Sequence, residues 1–161
     1  MRLRAAAAAA LLAVVVGGCG DGDPPNPDAV DVPGRGGKSA VFEVPLPKGA
    51  VKEDSPAGIE LYRAREDDSM RGLQVFFGEQ VGGRPLRGYS WCGATSNADN
   101  TKYALTWRKA DTDDVLRVAL DGTDPAGVRI IVAEEKGAPA PQCPPGPIDS
   151  IPGDPGDIPG V

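Results

Sequence analysis

The sequence predicts an α+β fold, in which an antiparallel sheet ends in a three-stranded meander and one helix covers the sheet. Three stretches in the second half of the chain alternate at the β-strand period, and one earlier stretch repeats apolar residues at the helical period. All eight aromatic residues lie between Phe42 and Trp107, and proline and glycine dominate beyond Gly137. We therefore expect one compact domain, residues 39–136, between two low-complexity segments.

The first strands of the domain are predicted by VFEVPL at residues 41–46 and IELYRAR at residues 59–65. Pro45 and Pro47 restrict the first of them to a sheet edge or a strand end, because proline has no N–H for the hydrogen-bond ladder.

A helix is predicted over residues 67–81, behind Asp67 or Asp68 as the N-cap. Four apolar residues in this segment recur at helical spacing: Met70, Leu73, Phe77 and Val81. Another hairpin strand remains the alternative, because Gly72 and Gly78 each cost a helix about 1 kcal/mol and residues 73, 75 and 77 also alternate. We favour the helix because the sheet needs a cover for its apolar face.

The meander is predicted by KYALTWR, VLRVAL and VRIIVA, each of which places three alternate apolar or aromatic residues on one face. The turn-rich segments DTDD and DGTDPAG connect these three stretches. Short strands separated by such turns are typical of antiparallel neighbours in a sheet.

The amino terminus has the layout of a secretory signal peptide. Arg2 and Arg4 precede an apolar run over residues 5–16, which ends at Gly17 and Gly18. A membrane-spanning helix would need about 20 apolar residues. We therefore expect residues 1–18 to be removed as a signal.

The four residues Val16-Gly17-Gly18-Cys19 resemble the lipobox of bacterial lipoproteins. The resemblance implies that Cys19 becomes the lipidated first residue of the mature chain. It also implies an anchor in the cell membrane, with the protein on the extracytoplasmic face. Two acyl chains on one residue suffice for stable anchoring, whereas one chain binds only marginally.

Residues 19–38 are predicted to form a flexible tether of glycine, proline and aspartate. The run Gly36-Gly37-Lys38-Ser39 looks like the end of a phosphate-binding loop. That motif requires a glycine where this chain has Val32, and it lies between a strand and a helix. We therefore predict no nucleotide site and no other cofactor.

Charge and composition restrict the partners of the mature chain. Removal of Arg2 and Arg4 changes the formal net charge from −6 to −8. An acidic chain without a basic stripe is not expected to bind nucleic acid or anionic lipid by charge. Residues 137–161 hold eight of the 17 prolines and predict a polyproline-like or disordered tail.

A second resemblance involves the aromatic residues of the domain. The domain contains Phe76-Phe77, then Gly88-Tyr89-Ser90-Trp91, then the meander. This order is similar to that in small lipoprotein domains of high-GC bacteria. In that family a helix ends in an aromatic pair and a Gly-aromatic turn follows. The family has no general catalytic assignment, so the resemblance implies no site residues.

The chain has three cysteines, an odd number. If Cys19 carries lipid, Cys92 and Cys143 remain as a pair in an oxidising compartment. A disulfide between them would contribute at most about 4 kcal/mol. Free thiols and pairing between chains stay open as alternatives.

The chain contains no histidine, which excludes Ser-His and Cys-His nucleophile systems and the commonest metal ligand. Carboxylate-only chemistry remains, as in glycosidases. We interpret the candidate carboxylates as solvated turn and strand-end charges. They are Asp111, Asp113, Asp114, Asp121, Asp124, Glu134 and Glu135.

The segment GGRPLRGYSWCG is the candidate interaction surface, because Arg84, Arg87, Tyr89 and Trp91 are of residue types that interfaces favour. The alternative is that both aromatics pack on the disulfide while the arginines are solvated, because a domain this small needs its tryptophan for its core. We expect a non-catalytic module that binds or scaffolds another envelope component. A small-ligand carrier with a pocket between helix and sheet is the second expectation, and a carboxylate-dependent envelope hydrolase is the third.

Overall fold

The computed structural model describes residues 30–137 and Cys143, and these residues form an α+β fold, as the sequence predicts. The predicted signal peptide, Cys19, the first part of the predicted tether and most of the predicted tail lie outside the described residues. The elements in chain order are β1 (Arg35–Lys38), β2 (Pro45–Pro47), β3 (Val51–Glu53), β4 (Ile59–Arg63), α1 (Met70–Gln80), β5 (Tyr89–Ser96), β6 (Lys102–Lys109), β7 (Val115–Asp121) and β8 (Arg129–Glu135).

Six strands form one antiparallel sheet in the order β3-β4-β8-β7-β6-β5. The predicted meander is confirmed as β6, β7 and β8, in which Ala104 pairs with Ala119 and Ala119 pairs with Ile131. β4 lies beside β8, with Leu61 opposite Ile131. β3 and β5 are therefore the two edge strands of this sheet.

The ambiguous segment 67–81 contains α1, so the prediction of a helix is confirmed. The predicted cap is wrong, because Ser69 rather than an aspartate is the N-cap, and its Oγ accepts the N–H of Gly72 at 3.0 Å. A Cβ at residue 72 would lie 2.2 Å from the carbonyl oxygen of Asp31. Glycine is therefore required inside this helix, because the entering chain packs directly against its backbone.

The main core lies between α1 and one face of the sheet, and β2 and the loop before it also contribute to it. Its largest fully buried side chains include Trp107, Phe76, Phe77, Leu73 and Leu105. The two phenylalanines meet edge to face, with ring centroids 5.1 Å apart. This packing explains the helical apolar spacing of the sequence, because the residues that recur form the face of α1 that meets the sheet.

Residues 41–46 do not form the predicted strand. Only β2 is extended there, and it pairs with β1 in a separate two-stranded sheet. The backbone N–H groups of residues 40–42 instead donate to the carboxylate of Glu60, at 2.7, 3.0 and 3.4 Å. These donors need no neighbouring strand, because a side chain satisfies them. β1 lies within the predicted tether, so paired structure begins before the predicted start of the domain.

The segment GGRPLRGYSWCG contributes the first half of β5, an edge strand that the sequence analysis did not predict. The register moves from Trp91 opposite Trp107 to Gly93 opposite Thr106, so Cys92 is an extra residue in the ladder. Such a bulge interrupts the alternation by which strands are recognised. Cys92 is bonded to Cys143, with a Cα–Cα distance of 4.9 Å.

Candidate functional site

The four residues of the predicted interaction surface do not share one exposed surface. Tyr89 is 6% exposed and belongs to the main core, and Trp91 packs edge to face on Trp107 at 5.1 Å. Of these four residues, only Arg84 and Arg87 are exposed. The aromatics of this segment therefore stabilise the domain, because the alternation of β5 directs both rings to the side of the core.

The two arginines have different roles. The backbone carbonyl of Arg84 accepts a hydrogen bond from the indole N–H of Trp107 at 2.8 Å. The backbone of Arg84 therefore helps to hold Trp107 in the core. Arg87 has a positive φ of 50°, and its Nη1 donates to the carbonyl of Val41 at 2.7 Å. The same nitrogen lies 3.6 Å from a carboxylate oxygen of Glu43. Arg87 thus joins the β5 side of the domain to the loop before β2.

Arg87 and Tyr89 do meet at a small cavity of about 240 Å³, which we call the Tyr89–Glu134 pocket. Its lining consists of Val41, Phe42, Arg87, Tyr89, Lys109, Leu116 and Glu134. The Tyr89 hydroxyl donates to the Glu134 carboxylate. Lys109 Nζ lies 5.8 Å from the centroid of the Tyr89 ring. The pocket thus combines two cations and one carboxylate over an apolar base.

Burial raises the pKa of Tyr89 well above its usual value. The hydrogen bond to Glu134 and the negative charge of Glu134 raise it further. Tyr89 therefore remains a neutral hydrogen-bond donor at any physiological pH. Glu134 accepts this bond and also lies 3.7 Å from Lys136 Nζ. These contacts fix the position of the Glu134 carboxylate beside the Tyr89 hydroxyl.

The predicted carboxylates are spread over several places. Asp111 and Asp113 are exposed in the turn between β6 and β7. Asp121 is buried and accepts the N–H and hydroxyl of Thr123, and Glu135 pairs with Arg117 at 2.7 Å. Within residues 30–137 and 143, no three His, Cys, Asp or Glu side chains are grouped so that they could hold a metal ion.

A larger open groove of about 610 Å³ lies beside β3, and we call it the β3-edge groove. Its lining consists of Gly49, Val51, Glu53, Arg63, Ala64, Arg65, Glu66, Asp67 and Ala126. Val51 is 65% exposed, the most exposed large apolar side chain among the described residues. Within the described part of the chain, β3 pairs with β4 alone, so its outer edge has no strand partner.

One wall of the β3-edge groove is held by four charges. Arg63 contacts Glu53 at 2.6 Å and Asp124 at 3.1 Å, and Arg129 contacts Asp124 at 3.0 Å and Glu53 at 3.6 Å. The hydrogen bond from the Ala126 N–H is the largest cause of the lowered pKa of Asp124. The guanidinium groups of Arg63 and Arg129 lower that pKa further. This four-charge network ties β3, β4 and β8 to the loop between β7 and β8.

The other wall is formed by the chain between β4 and α1. Arg65 pairs with Asp67, and its backbone N–H donates to Asp68 at 3.1 Å. Gly49 has a φ of 87°, and a Cβ there would lie 2.7 Å from the Arg65 side chain. The arginine stem therefore lies directly over the glycine, and a larger residue would displace it.

Sequence reasoning missed the β3-edge groove entirely. The signal that could have indicated β3 is the turn-rich run SPAG at residues 55–58, between charged residues and the strand at IELYR. A hairpin at that turn would have placed Glu53 opposite Leu61 and beside Arg63, as the structure has it.

No protein-family model, curated protein or solved structure matches this chain. Among the described residues, no helix has the length and apolarity needed to cross a membrane.

Proposed function

We propose that this chain is an exported lipoprotein, anchored through lipid on Cys19 at the extracytoplasmic face of a bacterial cell membrane. Its domain would be a non-catalytic binding or scaffolding module for another envelope component. The signal-peptide layout and the lipobox-like residues support the anchor. The observation that carries the binding function is the open groove beside the unpaired edge of β3.

The shape of the β3-edge groove suits an extended peptide. An unpaired strand edge offers backbone N–H and C=O groups to an added strand, which supplies affinity, and neighbouring side-chain sites supply specificity. Val51 offers an exposed apolar contact, and Arg65 and Asp67 offer charges of both signs on the facing wall. An apolar contact within a polar rim is the usual composition of a protein interface.

Two observations favour this module over the alternatives. A carrier was expected to hold its ligand between helix and sheet, but Leu73, Phe76 and Phe77 fill that space and are at most 2% exposed. A hydrolase would need two free carboxylates about 5–9 Å apart in a groove. Two of the three carboxylates that line the β3-edge groove are paired with arginines, Glu53 with Arg63 and Asp67 with Arg65.

The groove is tested with two substitutions of the same kind. Val51→Glu places a charge in the groove, and Val41→Glu places it at the Tyr89–Glu134 pocket, where the valine is 61% exposed. Each lipidated protein is purified from the membrane of its own cells, bound proteins are identified by mass, and the affinity of the identified partner is measured.

We expect Val51→Glu to weaken partner binding at least about tenfold, because burying a valine contributes about 1.5–3 kcal/mol and tenfold corresponds to about 1.4 kcal/mol. Val41→Glu should leave the affinity unchanged. The reverse pattern would assign the partner to the Tyr89–Glu134 pocket and refute the groove. A bound metabolite without any protein partner would favour the carrier.

The anchor is tested separately. Cys19→Ala should abolish labelling of the protein by radioactive fatty acid and leave an unprocessed precursor, because the acylated thiol is gone. Labelling that persists in this variant would refute lipid attachment at Cys19. The Val51→Glu protein is the control, since its labelling should equal that of the wild type.

A further inference from the structure

The face of the sheet opposite α1, which we call the second face, is buried although no described element packs on it. Leu61, Ala104, Ala119, Ile131 and Ala133 form an apolar cluster there and are all at most 8% exposed. Every residue of α1 and β2 that packs in the core belongs instead to the cluster on the helix side. Ile131 is only 2% exposed, so something must exclude water from it.

Two polar groups on the second face lead to the same conclusion. Thr106 Oγ1 and Arg108 Nε lie on β6, alternate with the core residues Leu105 and Trp107, and are buried without a hydrogen-bond partner. Buried polar groups in folded proteins are nearly always hydrogen-bonded. A cover that supplies acceptors at β6 would satisfy both.

We propose that the carboxyl-terminal segment 144–161 of this chain is the cover and lies across the second face. Cys143 is bonded to Cys92, so the segment starts at β5, directly beside β6. From β5 to β4 the sheet spans four strand spacings, about 19 Å at 4.8 Å each. Eighteen residues in polyproline geometry reach about 56 Å, more than enough to cross it.

The composition of segment 144–161 fits this position. It carries Ile148, Ile151 and Ile158 for the apolar cluster, and three aspartates with no lysine or arginine. An aspartate can accept from Arg108 Nε, a buried donor atom of a half-buried guanidinium side chain. Its prolines lack N–H groups, so a cover rich in proline buries few donors that need partners.

The described chain starts on the helix side of the sheet. The carbonyl of Asp31, at the start of the described residues, lies against Gly72 in α1. Cys143, by contrast, is bonded at β5. The inference does not depend on the proposed function, because it is argued from the burial of β4 and of β6 to β8, whereas the groove lies beside the outer edge of β3.

Isoleucine methyl NMR tests the proposal on the whole mature chain. The chain has six isoleucines, of which three lie in the segment and three in the sheet. Residues 19–161 are prepared with Cys19→Ser for solubility and ¹³C-labelled isoleucine methyl groups. We expect NOE cross-peaks between segment isoleucines and Ile131 or Ile59, which face the cover. Ile130 is the internal control and should show none, since it faces α1.

Two variants and one mixture make the test decisive. Ile148→Asp combined with Ile151→Asp should displace the whole segment, so Ile158 should also lose its cross-peaks to the sheet and the Ile131 methyl resonance should shift. Ser150→Asp, which adds charge without removing apolar surface, should retain the cross-peaks. Segment isoleucines without cross-peaks to the sheet in the unsubstituted chain would overturn the proposal. Cross-peaks that arise only between differently labelled molecules would identify a second copy as the cover and would also overturn the proposal.

Discussion

Glu60 provides the sharpest test of how the loop before β2 is held. Its carboxylate is 3% exposed and accepts the N–H groups of residues 40–42 and the hydroxyl of Tyr62, the latter at 3.1 Å. In Glu60→Ala the buried donors of Phe42 and Tyr62 lose their acceptor, at about 1–3 kcal/mol each. Water can reach the other two donors, and the Phe42 bond is long. We therefore expect a loss of about 3 kcal/mol in the free energy of unfolding.

Urea unfolding at pH 7, followed by tryptophan fluorescence, measures this loss for Glu60→Ala and for Glu79→Ala. Glu79 is an exposed glutamate of α1, so its replacement should change stability by no more than about 0.5 kcal/mol. Equal stabilities for the two variants would refute the role of Glu60 in holding the loop.

The same site predicts a pH dependence. Burial raises the pKa of Glu60, but the hydrogen bonds from Val41, Ser39, Tyr62 and Phe42 outweigh it and hold the pKa below 4.5. A carboxyl group with a lowered pKa in the folded state stabilises the fold above its unfolded pKa, and this contribution disappears as the pH falls through the folded value. The difference in unfolding free energy between wild type and Glu60→Gln should therefore be constant from pH 7 to about 5 and shrink at lower pH. A difference that grows on acidification would contradict this reasoning.

Two further predictions concern the backbone of α1 and the disulfide. Gly72→Ala should destabilise the protein by about 1–3 kcal/mol, because its Cβ would clash with the Asp31 carbonyl, whereas Gly78→Ala should stabilise it by up to about 1 kcal/mol, because a Cβ there meets nothing within 4 Å. Similar melting-temperature shifts for both would exclude the close approach at residue 72. Reduction should raise the intact mass by two hydrogens, and Cys143→Ser should lower stability by up to about 4 kcal/mol. An unchanged mass would indicate free thiols.

Local patterns in the sequence predicted the meander and the helix because each is encoded within its own residues. β6, β7 and β8 each place alternate residues in the main core, and Leu73, Phe76 and Phe77 repeat where α1 meets the sheet. The loop before β2 was assigned wrongly because its backbone donors depend on Glu60, about 20 residues away. No alternation within the loop carries that information.

The β3-edge groove shows the same limit more strongly. It combines residues 49–53, the end of β4 with the chain after it, and Ala126 in a loop of the meander. Each part alone is an ordinary charged turn or strand end. They meet because β4 lies beside β8, a pairing across about 70 residues that no local pattern contains.

The charges of the mature chain are distributed in a way that links both proposals. Residues 30–137 hold 15 cations and 17 acidic residues, so the domain is nearly neutral. Of the net charge of −8, three aspartates in residues 19–29 and three in segment 144–161 carry −6. Like charge repels a tether from anionic headgroups, so under the proposed anchor at Cys19 the first group would extend the domain away from the membrane. Under the proposed cover, the second group would lie near β6, where Arg108 Nε is buried without a hydrogen-bond partner, and attraction would hold it there. If both proposals hold, the two flanks of equal charge have opposite effects, because one would face lipid and the other would face an arginine.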